Sequence, residues 1–329
     1  MSGAVRVAAA RRATVRTRRQ TTDRIGDGAL RALCVLAAVL AVVAIVAIVY
    51  QVIHRASPAV SHFGAGFITR SIWQPNFGEG TFGAGAFLYG TAVTSLIAMV
   101  LAVPIGVSIG LYLSMLAPRR LRGVIGPLVE MLAAIPSVIL GFWGILVLGP
   151  FLQRHIEPFL HGALGFLPIF GHTPTTGTGL FIAGLILTIM VVPIVASLSR
   201  DLFLTVPREL QDGATALGAT RWEVIRGVVI PSAASGVVAA AFLGLGRALG
   251  EAIAVTQVIG AGNFIHASLF LPGDTLASRI ADQYQGATTK LLIASLFYLA
   301  LILLVIELLV NGAAQLIARR FDVRRALTA

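Results

Sequence analysis

The run Gly244-Leu245-Gly246-Arg247-Ala248-Leu249-Gly250-Glu251 sets an arginine and a glutamate four residues apart inside an apolar stretch. On a helix that spacing puts both on one face, where each partly neutralises the other. A lone charge at the centre of a bilayer costs roughly 2.5–3.5 kcal/mol on an insertion scale, so charges in such a stretch mark a function or a structural pair. Arginine suits oxyanions, because its planar fork donates two parallel hydrogen bonds and stays ionised. The pair reads as a polar point on an anion pathway or gate, or as an ion pair inside a helix bundle. Glu130, six residues before Pro136, is a third candidate: it is free to pair with Arg247, to meet a partner chain or to face the membrane interface. Glu307 is open in the same way. The glycines around Arg247 lack the spacing and the strand–turn–helix context of a dinucleotide fingerprint. Gly246-x3-Gly250 instead suits close helix packing.

Other chemistries are excluded by what is missing. The single lysine, Lys290, stands in Ala287-Thr288-Thr289-Lys290-Leu291, and nothing fits a G-x4-G-K-[ST] phosphate loop. The chain is not a P-loop ATPase and is not expected to be an enzyme, so energy for any transport comes from another subunit or an ion gradient. Cys34 is the only cysteine, which rules out an internal disulfide or a cysteine metal cage. His155, His161 and His172 share one loop, but their spacing fits no common metal site, so no metal is expected.

These residues are carried by a chain of 329 residues that is 57% hydrophobic and 12% charged, with mean hydropathy +0.89. Soluble domains are about a quarter charged. The bilayer is the solvent this composition calls for. Six apolar spans are expected, at 32–53, 86–116, 124–151, 179–198, 232–259 and 290–317, each reaching the roughly 20 residues a spanning helix needs. The class is all-α and polytopic. The first apolar run, 32–49, is longer than the core of a typical signal peptide, about 7–15 residues, and reads as a helix that stays.

The net charge of +11 follows the membrane rather than a nucleic acid. Arg119, Arg120 and Arg122, then Arg200, Arg208, Arg221 and Arg226, and both termini carry most of it. Only Arg55, Arg70, Arg154, Arg279 and Lys290 fall on the opposite side. That bias places both ends in the cytoplasm. Residues 1–31 form a basic tail, expected to be poorly ordered, and 319–329 a second basic tail. Segment 54–85, with Trp73, Phe77 and Phe82, suggests an outer interfacial cap. Segment 267–280 suggests a helix lying on the outer surface after its Pro272-Gly273 turn. Residues 208–217 and 220–230 read as two short helices hinged near Gly218.

That last region carries a resemblance. Asp212-Gly213-Ala214, three positions, Gly218, nine positions and Val228-Val229-Ile230-Pro231 resemble the EAA loop, E-A-A-x3-G-x9-I-x-L-P, of the membrane subunits of binding-protein-dependent ABC importers. Asp212 stands for the Glu, one methylene shorter, and Gly213 for the first Ala. Ala214, Gly218 and Pro231 match outright. In that family the loop, here 206–231, is the socket by which a separate ATPase moves the membrane helices. Small residues there allow close approach of backbones, and Trp222 is large enough to anchor in a pocket.

Residues 130–144, 206–231, 243–256 and 268–280 together resemble the phosphate-specific (Pst-type) ABC importer permeases, in their PstC-like branch, over about 86–318. The resemblance implies a type I importer core of six helices and a permease paired with a second, related permease. It implies two copies of a cytoplasmic ABC ATPase, which would hold the ATP and magnesium, and an extracytoplasmic phosphate-binding protein. The chain itself would sit in the bacterial inner membrane among lipid, with no cofactor of its own and no nucleic acid. Arginine recognises every oxyanion, so sulfate or molybdate stands as the nearest alternative. An ion-coupled secondary transporter stands further off, because no internal repeat accompanies the helices.

Overall fold

The computed structural model describes residues 2–75, 80–171 and 177–320; Phe77 and His172 lie outside the described residues. The chain divides into two units, residues 1–54 and 55–329. The first unit is helical from Ser2, within α1 (Ser2–Phe63), and is apolar on every face over 32–50. The basic tail therefore joins this helix. Alanine and arginine are strong helix formers, and no proline interrupts before Pro58.

The second unit continues through α2 (Gly66–Thr69), α3 (Gly85–Leu111), α4 (Arg119–Ala133), α5 (Ser137–Trp143), α6 (Gly149–Phe151) and α7 (Glu157–Leu164). It goes on through α8 (Leu180–Leu204), α9 (Arg208–Ala216), α10 (Arg221–Val224), α11 (Ile230–Gly250), α12 (Ile253–Val258), α13 (Leu276–Gln283) and α14 (Lys290–Arg320). Wider π turns join neighbouring pieces, so among the described residues six helices are long and apolar enough to cross a membrane: 26–63, 85–116, 137–164, 180–204, 221–250 and 290–318. Among the described residues the only pairing of extended backbone is one isolated bridge, Gln74 with Thr81.

The core is built on α3 against α8. At Gly110 a Cβ would meet the Arg200 amide nitrogen at 2.8 Å and the Ala196 carbonyl at 2.9 Å, so only glycine lets the two backbones approach this closely. Buried hydroxyls in these helices bond back one turn: Thr91 to the Phe87 carbonyl at 2.7 Å, and Thr188 to that of Gly184 at 2.8 Å. These two hydroxyls are thereby satisfied inside the apolar interior. Ile182, Ile186, Val191, Val255 and Val258 fill the centre. Phe67, Trp73, Phe82, Phe87 and Tyr298 form an aromatic cluster at one end, with Phe67 stacked on Tyr298 at 4.4 Å. Phe203, Val206, Val224 and Val229 close the other end. Trp73 and Phe82 are thus core residues rather than an interfacial cap.

Four expectations change. The third span does not run over 124–151: the helix breaks at Ala134-Ile135-Pro136, where Pro136 is extended, and the span is 137–164. Proline has no N–H to give and disfavours helix in the residue before it. The fifth span does not run to Ile259, because Glu251 leaves the helix with ψ 116°. Arg247 therefore sits in the last turn, not at mid-helix. Residues 220–230 are not a separate helix but the start of the fifth span. A π turn, Ile225–Val229, stands just before Pro231 and absorbs the missing N–H and the ring. Finally α13 does not lie wholly on the surface: Leu276, Ala277, Ser278 and Arg279 are all buried, and its exposed residues are Ala281 and Asp282.

Candidate functional site

The loop 205–220 is positioned by local chemistry. Pro207 caps α9 in an extended conformation. The Gly218 N–H donates to the Thr215 carbonyl at 2.9 Å, and Gly218 takes φ +87°, a left-handed turn that favours glycine. Thr220 and Glu223 then form a capping box. The Thr220 N–H donates to Glu223 Oε2 at 2.7 Å, and the Glu223 N–H to Thr220 Oγ1 at 3.4 Å.

One side of this loop is anchored, since Ala214 and Ala219 pack against the Phe203–Val229 cluster. The other side is bare. Leu217 is 91% exposed, Trp222 61% and Leu210 52%. Around Gly213 and Gly218 there is open space where a side chain would go. Asp212 is exposed and lines a cleft of about 230 Å³ with Gln211, Thr215 and Arg221. A surface that presents a Trp and two Leu beside small residues has the composition of an interface anchor.

The second group lies where the fifth span ends. Arg247 Nη2 is 3.3 Å from Glu251 Oε2. The two are unequal: the Glu251 side chain is 5% exposed and the Arg247 side chain 47%. Glu251 also accepts the Ala254 N–H at 3.3 Å, which ties the broken end of α11 to α12. Arg247 lies in the last helical turn, where the backbone dipole favours a cation. Among the described residues Glu251 is the only ion-pair partner its five donors find.

Glu130 does not join this pair. Its Oε1 lies 2.9 Å from Arg200 Nη1, and Arg200 also donates to Asp201 Oδ1 at 2.9 and 3.0 Å. The break at Pro136 ends α4 just after Glu130, which stands beside the C-terminal end of α8.

A further charged cluster gave no sign in the sequence. Arg279 Nε lies 2.7 Å from Asp274 Oδ2, with both side chains under 5% exposed. Arg279 also donates to Asn263 Oδ1, and its guanidinium stands 4.8 Å from the centre of the Phe87 ring. Asp274 accepts from Ser278 Oγ and from the Thr275 N–H at 2.9 Å. Burial pushes the Asp274 carboxyl up to about 6, against the pull of Arg279 beside it. Asp274 and Arg279 are five apart, which is not a helical pairing. They meet because Asp274 precedes the Thr275 cap and folds back over α13.

No group of three potential metal ligands occurs among the described residues. His155 contacts the Phe151 carbonyl at 3.2 Å, and His161 that of Phe170 at 2.8 Å. Cys34 is exposed on α1.

A family description, binding-protein-dependent transport system inner membrane component, matches residues 102–323. The chain is 44% identical to the phosphate transport system permease protein PstC of Mesorhizobium japonicum, over 81% of this chain and 82% of that one. It is 42% identical to the PstC of Xylella fastidiosa strain Temecula1, over 79% and 80%. Among solved structures, the inward-facing MetNI methionine ABC transporter superposes with a TM-score of 0.53 at 20% identity, over 71% of this chain and 94% of that one. That likeness concerns the fold: a type I importer permease. Membership brings with it an ABC importer with ATPase and permease partners, and a transport role rather than an enzymatic one. The chain belongs to the inner membrane components of binding-protein-dependent transport systems, in the branch of the phosphate transport system permease protein PstC.

Proposed function

We propose that the chain forms half of a translocation pathway for inorganic phosphate, driven by ATP that a separate subunit hydrolyses. The single observation that carries this most is the 44% identity to a phosphate transport system permease protein over 81% of the chain, on top of the family match at 102–323. It favours this reading over a secondary transporter. The loop supports it, because among the described residues nothing covers its exposed Leu210, Leu217 and Trp222. In this reading Asp212, Gly213, Ala214, Gly218, Trp222 and Pro231 form the socket of the ATPase. The chain holds no cofactor, and ATP and magnesium belong to two ATPase copies. A second, related permease completes the pathway, and an extracytoplasmic phosphate-binding protein delivers the ion. Both termini and the loop then lie in the cytoplasm, as the arginine bias requires.

Arg247 is the anion-handling group in this reading. Glu251, buried and bonded to the start of α12, holds it at the end of α11 while leaving its outer donors free. Such a site must bind enough to admit the ion and weakly enough to release it. A carboxylate sharing the arginine serves that balance. Glu130 takes part at the other end of the pathway, by fixing α4 to Arg200. The test is to purify the chain with its partners and measure ATP hydrolysis. Stimulation by the phosphate-loaded binding protein is expected. Hydrolysis indifferent to phosphate would contradict the proposal.

A further inference from the structure

Glu307 has no part in the coupling loop or in the Arg247–Glu251 pair, yet it is a carboxylate inside a spanning helix. It lies on α14, half-buried, and among the described residues no ion pair reaches it. Its Oε1 stands 3.1 Å from the point where a Cβ on Gly250 would be. Gly250 is exposed, as are Leu243 and Arg247. The spacing 243, 247, 250 puts these three on one face of α11. Arg247 and Gly250, three residues apart, have Cβ positions about 5–6 Å from each other. The Glu307 carboxylate therefore flanks the exposed face that carries Arg247, without pairing with it. Arg247 is itself loosely held: 3.3 Å to Glu251 exceeds the roughly 2.7–2.9 Å of a charge-assisted hydrogen bond.

This face offers an anion two unlike neighbours. Arginine only donates, and an ionised carboxylate only accepts. A tetrahedral oxyanion that keeps a proton near neutral pH satisfies both, giving its oxygens to Arg247 and its hydroxyl to Glu307. A fully deprotonated oxyanion of the same shape satisfies only the arginine and is repelled by the carboxylate. Discrimination of that kind, by leaving a polar partner unmet, is the strong kind. We infer that Glu307 is a specificity-determining residue that selects protonated oxyanions, such as hydrogen phosphate, over deprotonated ones, such as sulfate, as they pass Arg247. The inference rests on the proposed anion pathway and names the feature by which that pathway tells its ion from others.

The test is equilibrium binding of radiolabelled phosphate and sulfate to the purified complex. Wild type is compared with Glu307→Gln, Glu307→Asp and Gly250→Ala. Glutamine can donate as well as accept, so Glu307→Gln should cut the phosphate-over-sulfate preference about tenfold, the scale of one hydrogen bond to a charged group. Glu307→Asp should keep most of the preference. Gly250→Ala changes no charge but presses on Glu307, and should lower the preference in part. It also decides the question if Glu307→Gln fails to assemble. A preference within about twofold of wild type in both Glu307→Gln and Gly250→Ala would overturn the inference. Wild-type complex that binds no phosphate would instead contradict the pathway reading itself, and the two failures are thereby distinct.

Discussion

Glu130 and Arg200 meet at 2.9 Å and join α4 to the end of α8, while Arg247 stands apart with Glu251. Glu130 and Arg247 therefore belong to separate charge clusters rather than to one network. The Glu130–Arg200 contact is half open to solvent on the Glu130 side, and Arg200 keeps Asp201 if Glu130 is lost. Exposed pairs contribute about 0–1 kcal/mol. Glu130→Gln should therefore shift the melting of the purified complex by no more than about 1 kcal/mol. A loss several times larger would mean that Glu130 is buried against a partner chain in the assembly.

Asp274 and Arg279 should behave oppositely, because both are buried. Arg279→Met strands the Asp274 carboxylate, and breaking a buried pair costs about 3–5 kcal/mol. Denaturant melts of the complex should show this loss. A wild-type-like midpoint would mean that the pair is not closed.

The same carboxyl gives a pH signature. Its folded value, about 6, lies above the ordinary 3.8, so the folded state holds the proton more tightly than the unfolded one. The resulting stabilisation is complete below about pH 4 and is lost as pH rises through about 6. From pH 5 to pH 7 wild type should lose stability relative to Asp274→Asn, whose side chain does not titrate. Wild type gaining on Asp274→Asn over that range would give the shift the wrong sign.

Gly218 turns the loop at φ +87° with open space around it. A bulky side chain there strains the turn and fills the exposed surface without touching the membrane core. Gly218→Trp should insert and fold, yet co-purify with far less ATPase. Full retention of both the ATPase and transport would contradict the socket role.

Orientation is tested by single cysteines in a Cys34→Ala background. Ser61 and Gln285 are exposed beside the ends of the first and sixth spans, and Thr215 is exposed on the coupling loop. A membrane-impermeant thiol reagent applied outside intact cells should label Ser61→Cys and Gln285→Cys, and leave Thr215→Cys untouched. The reverse pattern would overturn the cytoplasmic placement of the loop.

The sequence makes much of this legible, and the misses share a cause. The six apolar runs, the arginine bias, Gly218 and the Arg247–Glu251 spacing are local properties, and local properties can be read along a line. The breaks at Pro136 and Glu251 lie inside continuous apolar runs. Hydrophobicity alone does not see them. The partners of Glu130 and Arg279 are set by helices 70 residues away or by a loop folding back. Neither depends on periodicity. The coupling loop was recognisable from spacing, but that its Leu217 and Trp222 stay bare required the fold.

The central claim is that this chain conducts phosphate past Arg247 under the power of a partner ATPase. Uptake of radiolabelled phosphate into liposomes holding the complete complex tests it most directly. Wild type is run beside Arg247→Met with Glu251→Gln, in which neither charge is stranded without its partner. The wild-type complex should accumulate phosphate only with ATP and the binding protein, and the double variant should assemble, hold its ATPase and accumulate none. Near-normal uptake by the double variant would leave Arg247 and Glu251 as a structural pair and contradict the claim.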